Sequence, residues 1–190
     1  MRISINYVLL LVGLSLNLTA NAWVVVSDES HLSFVSIKKN NIGESHTISE
    51  VSGQIVDGEA TVTLNPNSVE SRVPIRNDRM REFLFETNLY PSIVIKAQVN
   101  EILEKLKIGT SIVADLEATL NMHGQSLPVL LNVRVGKLTD KKVTVSSVMP
   151  VLIRAADFKM VEGIQKLSSL VNGLQIAESI PVSFSLVFSK

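Results

Sequence analysis

The sequence of 190 residues contains no cysteine. That excludes a disulfide framework and, with it, structural zinc–thiolate sites, so the core alone must hold the fold. An excess of one charge is missing too. The 18 basic and 18 acidic residues cancel, and no strong field points to nucleic acid or an anionic membrane as a partner. Histidine is scarce. His31, His46 and His123 lie far apart and form no H-x-x-x-H or other local ligand pair. Such lone histidines read as hydrogen-bonded structural residues, not as metal ligands. Nucleophile motifs of the G-x-S-x-G kind and phosphate-cradling glycine loops are absent. Asp115 and Glu117 are the nearest approach to paired carboxylates. At i, i+2 on a strand they share the solvent side and read as a solubilising surface. The expectation is a protein that is not an enzyme and carries no metal. There is also no repeat, low-complexity tract or Pro/Gly-rich linker, so one domain is expected.

Long hydrophobic runs are limited to one. After Arg2 comes "VLLLVGLSLNL", Val8 to Leu18, and then Ala20-Asn21-Ala22. A helix of that length reaches about 16 Å, roughly half of a ~30 Å hydrocarbon core, and Ser15 and Asn17 weaken an anchor further. A positive start, a short apolar middle and an A-x-A end describe a secretory signal peptide over residues 1–22. The mature domain is then expected over residues 23–190, exported to the periplasm.

What fills that domain is alternation of period two. "SHLSFVSIK" places Leu32 and Phe34 on one face. "TISEVSGQIV" and "EATVTL" flank Asp57-Gly58, a strong hairpin signal. "SVESRVPI" reads as a short edge strand, since Pro74 cannot donate to a ladder. Ile93, Ile95, Ala97 and Val99 share a face, and Ser111 to Met122 is the longest clear strand. "HGQS" turns the chain into a run that returns Leu127, Val129, Leu131, Val133 and Val135 to the inside. "VTVSSVMPVLI" follows, and "IPVSFSLVFS" ends the chain with Val182, Phe184, Leu186 and Phe188 on one face. Helical spacing occurs twice, in "VEGIQKLSSLVNGL" and in "RNDRMREFLFET". The fold expected is all-β, an antiparallel eight-stranded barrel with two short helices. A barrel of that size is either filled by its own side chains or holds one small ligand.

The second helical stretch breaks the alternation with Arg72, Arg76, Arg79 and Arg81 set among Asp78, Glu82 and Glu86. Asn77 or Asp78 is the expected N-cap, and Met80, Phe83 and Leu84 form one apolar face. Two readings stand side by side: a surface helix with ordinary solvated ion pairs, or a lid over one end of the barrel. Three consecutive apolar residues, Phe83 to Phe85, cannot all point one way.

Taken in order, "SHLSF", "SGQIVDGEATVTLNPNSVESR", "IRNDRMREFLF", "YPSIVIKA", "LNMHGQSLPVLLNV", "RAADFKM" and "IPVSFSLVF" resemble the YceI-like family. Its members are periplasmic, lipocalin-like barrels associated with polyisoprenoid binding. The resemblance implies a long apolar cavity for an isoprenoid or quinone-like tail, with no other cofactor. It makes Leu32, Phe34, Leu64, Phe83, Leu84, Ile95, Leu116, Ala118, Leu120, Leu131, Phe184 and Leu186 the candidate ligand contacts. Arg76, Asp78, Arg79 and His123 are the candidates for the mouth and head group. A strand of about ten residues reaches about 33 Å, or about 25 Å of barrel height at a ~40° tilt. Ten buried CH₂-sized groups would supply about 8 kcal/mol before ordering costs. The expected function is to hold an isoprenoid or similar amphiphile for transport or sequestration. The alternative is a structural or interaction module of the envelope with a filled core. A homodimer and an inner-membrane protein are the further partners considered.

Overall fold

The computed structural model describes residues 22–190. The signal peptide expected over residues 1–22 lies, apart from Ala22, outside them. Eight strand runs follow one another: β1 (Trp23–Val25 and His31–Lys38), β2 (Ile42–Ile48 and Val51–Val56), β3 (Glu59–Leu64 and Val69–Glu70) and β4 (Ile93–Gln98). Then come β5 (Ser111–Met122), β6 (Gln125–Thr139), β7 (Lys142–Ser147 and Val151–Arg154) and β8 (Ser179–Ser189). Each pairs antiparallel with the next. The ring closes where β8 meets both parts of β1, with Val182 opposite Phe34 and Phe188 opposite Val25. This is the eight-stranded antiparallel barrel read from the alternation, and closure removes the sheet edges.

Four runs are interrupted once. Prolines mark two of the breaks: Pro66 opens the short 3-10 turn inside β3, and Pro150 lies in the gap of β7. Tight turns join the long strands where both central residues are left-handed. Asp57 and Gly58 have φ of 48° and 79°, and His123 and Gly124 have 49° and 71°. Turns of this hand match the twist of the strands they connect.

The helices depart from expectation in three ways. There are three: α1 (Pro74–Arg79), α2 (Asn100–Lys105) and α3 (Val161–Ser169). The six residues of α2 are too short for a 3.6-residue period to stand out. Next, Pro74 does not end a strand. That strand stops at Glu70, and Pro74 opens α1 as its first residue, where a missing N–H costs nothing. Lastly, Val73 precedes the helix without a side-chain cap, and neither Asn77 nor Asp78 caps it. Asn77 is instead buried at the strand–helix junction. Its Oδ1 accepts from Ser71 N–H (2.8 Å) and Ser71 Oγ (2.6 Å), and its Nδ2 donates to Glu70 (3.0 Å).

Beyond Arg79 the insert widens into a π turn over Met80–Leu84, with Phe85 N–H donating to Met80 O at 2.8 Å. An i→i+5 turn rotates the following side chains relative to an α-helix. The buried set becomes Met80 and Phe85, and Phe83 is turned aside.

The two ends of the barrel differ. At one, α2 lies beside the Asp57-Gly58 turn, and Val99 N–H donates to Gly58 O at 2.8 Å. At the other, the insert covers the strand ends, with α1 continuing into the Met80–Leu84 turn and α3 packed on that turn. A Cβ on Gly163 of α3 would stand 2.3 Å from Phe83 O, so this contact requires glycine.

Candidate functional site

The inward faces do not meet on the barrel axis. They enclose a cavity of about 430 Å³, within the range of small-molecule sites. Leu64, Ile95, Leu116, Leu131, Val145 and Phe184 line it from six different strands, and Ile102 and Leu103 of α2 line one end. The lumen is hollow. A chain-like apolar guest would recover contacts now missing from those walls.

Polarity is confined to one end. Among the described residues, the polar ones lining the cavity are Ser36, Lys38, His46, Arg76 and Arg79. Ser36 and Lys38 come from the end of β1, and His46 faces them from β2, where Phe34 pairs with His46 and Ser36 with Glu44. Arg76 and Arg79 sit three apart on α1, on one helical face. Glu44 binds Lys38 and also Arg76, whose Nη1 lies at 3.1 Å. Burial alone would raise the Glu44 carboxyl. The Lys38 ammonium and the Arg76 guanidinium outweigh it and hold Glu44 below the usual carboxylate range.

His46 is 2% exposed. Its Nε2 lies 2.8 Å from Ser36 Oγ, and its ring tilts against Phe34 with centroids 5.0 Å apart. Nδ1 is buried with no hydrogen-bond partner. Burial, and then the charge of Arg76, push the imidazole below its ordinary value and keep it neutral at pH 7. The cavity reaches the surface beside these groups, because Ile75 and Val171 line it and are 55% and 40% exposed.

A family model for the YceI-like domain matches residues 23–188. The chain belongs to the YceI-like family. Among solved structures, a polyisoprenoid binding domain from Saccharophagus degradans, implicated in plant cell wall breakdown, shares 32% identity. That match covers 88% of this chain and 97% of the other, with a TM-score of 0.85. BcnA of Burkholderia cenocepacia shares 20% identity over 86% of this chain and 98% of its own, with a TM-score of 0.67, and supports the fold alone. No curated protein matches the chain at a significant level.

Within this YceI-like barrel, ten of the expected contacts line the cavity: Leu32, Phe34, Leu64, Leu84, Ile95, Leu116, Leu120, Leu131, Phe184 and Leu186. Ala118 does not. It faces inward and is buried, but one methyl group stops short of the lumen between Leu116 and Leu120. Phe83 does not either. The π turn sends it toward α3, where the Lys166 ammonium stands 5.4 Å from its ring centroid. Of the expected mouth groups, Arg76 and Arg79 are in place. Asp78 points to solvent and pairs with Arg81 at 2.9 Å.

His123 is buried away from the mouth. Its Nδ1 meets Phe158 O at 3.1 Å, its Nε2 meets Glu86 Oε2 at 2.7 Å, and Tyr90 stacks on it at 4.3 Å. This residue ties the insert to the segment before α3. Sequence reasoning missed His46, Met80, Phe85 and Ile164 as cavity residues. The signal for His46 was present, since it shares strand parity with Ile48. For the others, the π turn and the docking of α3 decide.

Proposed function

We propose that this protein holds an amphiphile with an isoprenoid or similarly branched apolar tail, exported to the periplasm for transport or sequestration. The observation that carries this reading is the hollow, aliphatic lumen opening beside a basic mouth. The family membership and the polyisoprenoid binding reported for the Saccharophagus degradans domain support it. The run before Ala22 supports the periplasmic address. Holding, not chemical change, is the role, because the polar lining groups stand at the mouth and none faces the middle of the tail's path. Affinity comes from transfer of the tail out of water, at about 0.8 kcal/mol per CH₂. Exchange with an inner-membrane protein, or between two copies of the chain, would use the end where Ile75 and Val171 border the lumen.

The test is organic extraction of protein purified from its own host, followed by mass spectrometry. A stoichiometric prenyl lipid is the expected result. Protein that carries no lipid and takes up none of those offered would end the reading.

A further inference from the structure

The mouth of the lumen is unbalanced in charge and in hydrogen bonding. Three cations, Lys38, Arg76 and Arg79, line it. One carboxylate, Glu44, answers them, and it is shared between Lys38 and Arg76. Arg79 is half-buried against the cavity and makes no ion pair among the described residues. His46 lines the same end, is almost wholly buried, and leaves Nδ1 without a partner. An excess of donors and positive charge at the opening of an apolar tube costs solvation on every face that a ligand covers. A neutral hydroxyl there can accept one hydrogen bond from Arg79 but leaves the surplus charge unanswered. A compact group bearing several acceptor oxygens and a negative charge would answer both, with charge-assisted bonds from guanidinium and ammonium.

Resting on the lipid-holding role proposed above, we infer that the mouth formed by Lys38, His46, Arg76 and Arg79 selects amphiphiles with an oxyanionic head. The head is a phosphate or a carboxylate, in preference to a neutral head on the same tail. The tail lies in the lumen and the oxyanion sits against Arg79 and Arg76. Glu44 stays bound to Lys38 and Arg76 and keeps a second anion from entering. The site therefore sorts lipids by head group, while the lumen accepts the tail.

The experiment uses delipidated mature protein and three probes with one tail: geranylgeranyl phosphate, geranylgeranoic acid and geranylgeraniol. Each displaces a neutral fluorescent dye from the lumen at low and at high salt. The phosphate and the carboxylate are expected to bind about tenfold tighter than the alcohol at low salt, with the gap shrinking as salt screens the mouth. In Arg79→Gln the gap between the charged probes and geranylgeraniol is expected to close, and an unchanged melting temperature of the lipid-free variant shows that the barrel is intact. The ring nitrogen signals of His46 should move on adding geranylgeranyl phosphate and not on adding geranylgeraniol. Tightening by the phosphate alone narrows the head to phosphate, and tightening by both assigns it to oxyanions in general. Equal binding of all three probes, or a gap that survives Arg79→Gln, overturns the inference and leaves lipid holding intact. Failure of all three to displace the dye overturns lipid holding itself, and the head-group preference with it.

Discussion

Gly163 of α3 packs directly against the carbonyl of Phe83, so closely that a Cβ there would lie 2.3 Å from the oxygen and 3.1 Å from Leu84 Cα. Backbone meets backbone at this point. The contact fixes the π turn that directs Leu84 into the cavity wall and Phe83 out of it. Gly163→Ala should therefore push α3 off the insert. The expected outcome is a loss of about 1–3 kcal/mol in stability, as for other overpacked contacts, together with faster lipid release. Urea unfolding and a stopped-flow dissociation trace would measure the two.

Filling the lumen should act in the opposite direction. Val145 lines the cavity from β7 and is only partly buried. Val145→Phe places a ring in empty space and needs little repacking. Lipid capacity is expected to fall several-fold while the melting temperature of the lipid-free protein holds or rises, because missing wall contacts are supplied. Calorimetry and lipid titration on the same preparation test both parts. Lower capacity with a lower melting temperature would instead point to a wall already tightly packed.

Stability should decline in mildly acidic solution because of His46. Unfolded, its imidazole takes up a proton as pH falls through about 6.5, whereas burial and Arg76 keep it neutral in the fold. The unfolded chain then binds more protons, so stability is full above that pH and decreases below it. Glu44 and Glu70, both held low, act in the same direction but only as pH falls below about 4.5. Urea midpoints between pH 7.5 and 5.0 should fall in the native protein. The decline should be shallower in His46→Gln.

Asn77 is a single point of failure at the start of the insert. Its amide accepts twice from Ser71 and donates to Glu70, and it is buried. Asn77→Ala leaves the Ser71 N–H and hydroxyl without that acceptor. A cost of about 1–3 kcal/mol is expected. Hydrogen exchange should rise first across residues 71–85, ahead of the barrel strands.

The alternation of aliphatic and polar residues made the barrel legible. Strands such as Ser111 to Met122 can bury only one face, and eight of them in succession with short turns close on themselves. Asp57-Gly58 and His123-Gly124 were legible for a local reason too, since left-handed turns restrict residue type. The helical insert was legible as an interruption but not as a geometry. Met80, Phe83 and Leu84 obey an α-helical period, and a single i→i+5 turn, stabilised by the docking of α3, replaced Phe83 with Phe85.

The mouth shows the same division. Arg76 and Arg79 stood out as charges on an otherwise apolar segment. Asp78, their neighbour, points the other way because three consecutive helical residues cover most of a turn. His46 lies some thirty residues from them, and only the pairing of β2 with the second part of β3, Thr47 opposite Glu70, together with the Glu44–Arg76 ion pair, brings α1 to it. The sequence by itself determined that this chain makes a one-sided antiparallel barrel, because period-two patterning reports on faces. Whether those faces meet or stand apart was decided by the tertiary structure. The width of a closed barrel depends on stagger and tilt around the whole ring, which no single strand encodes.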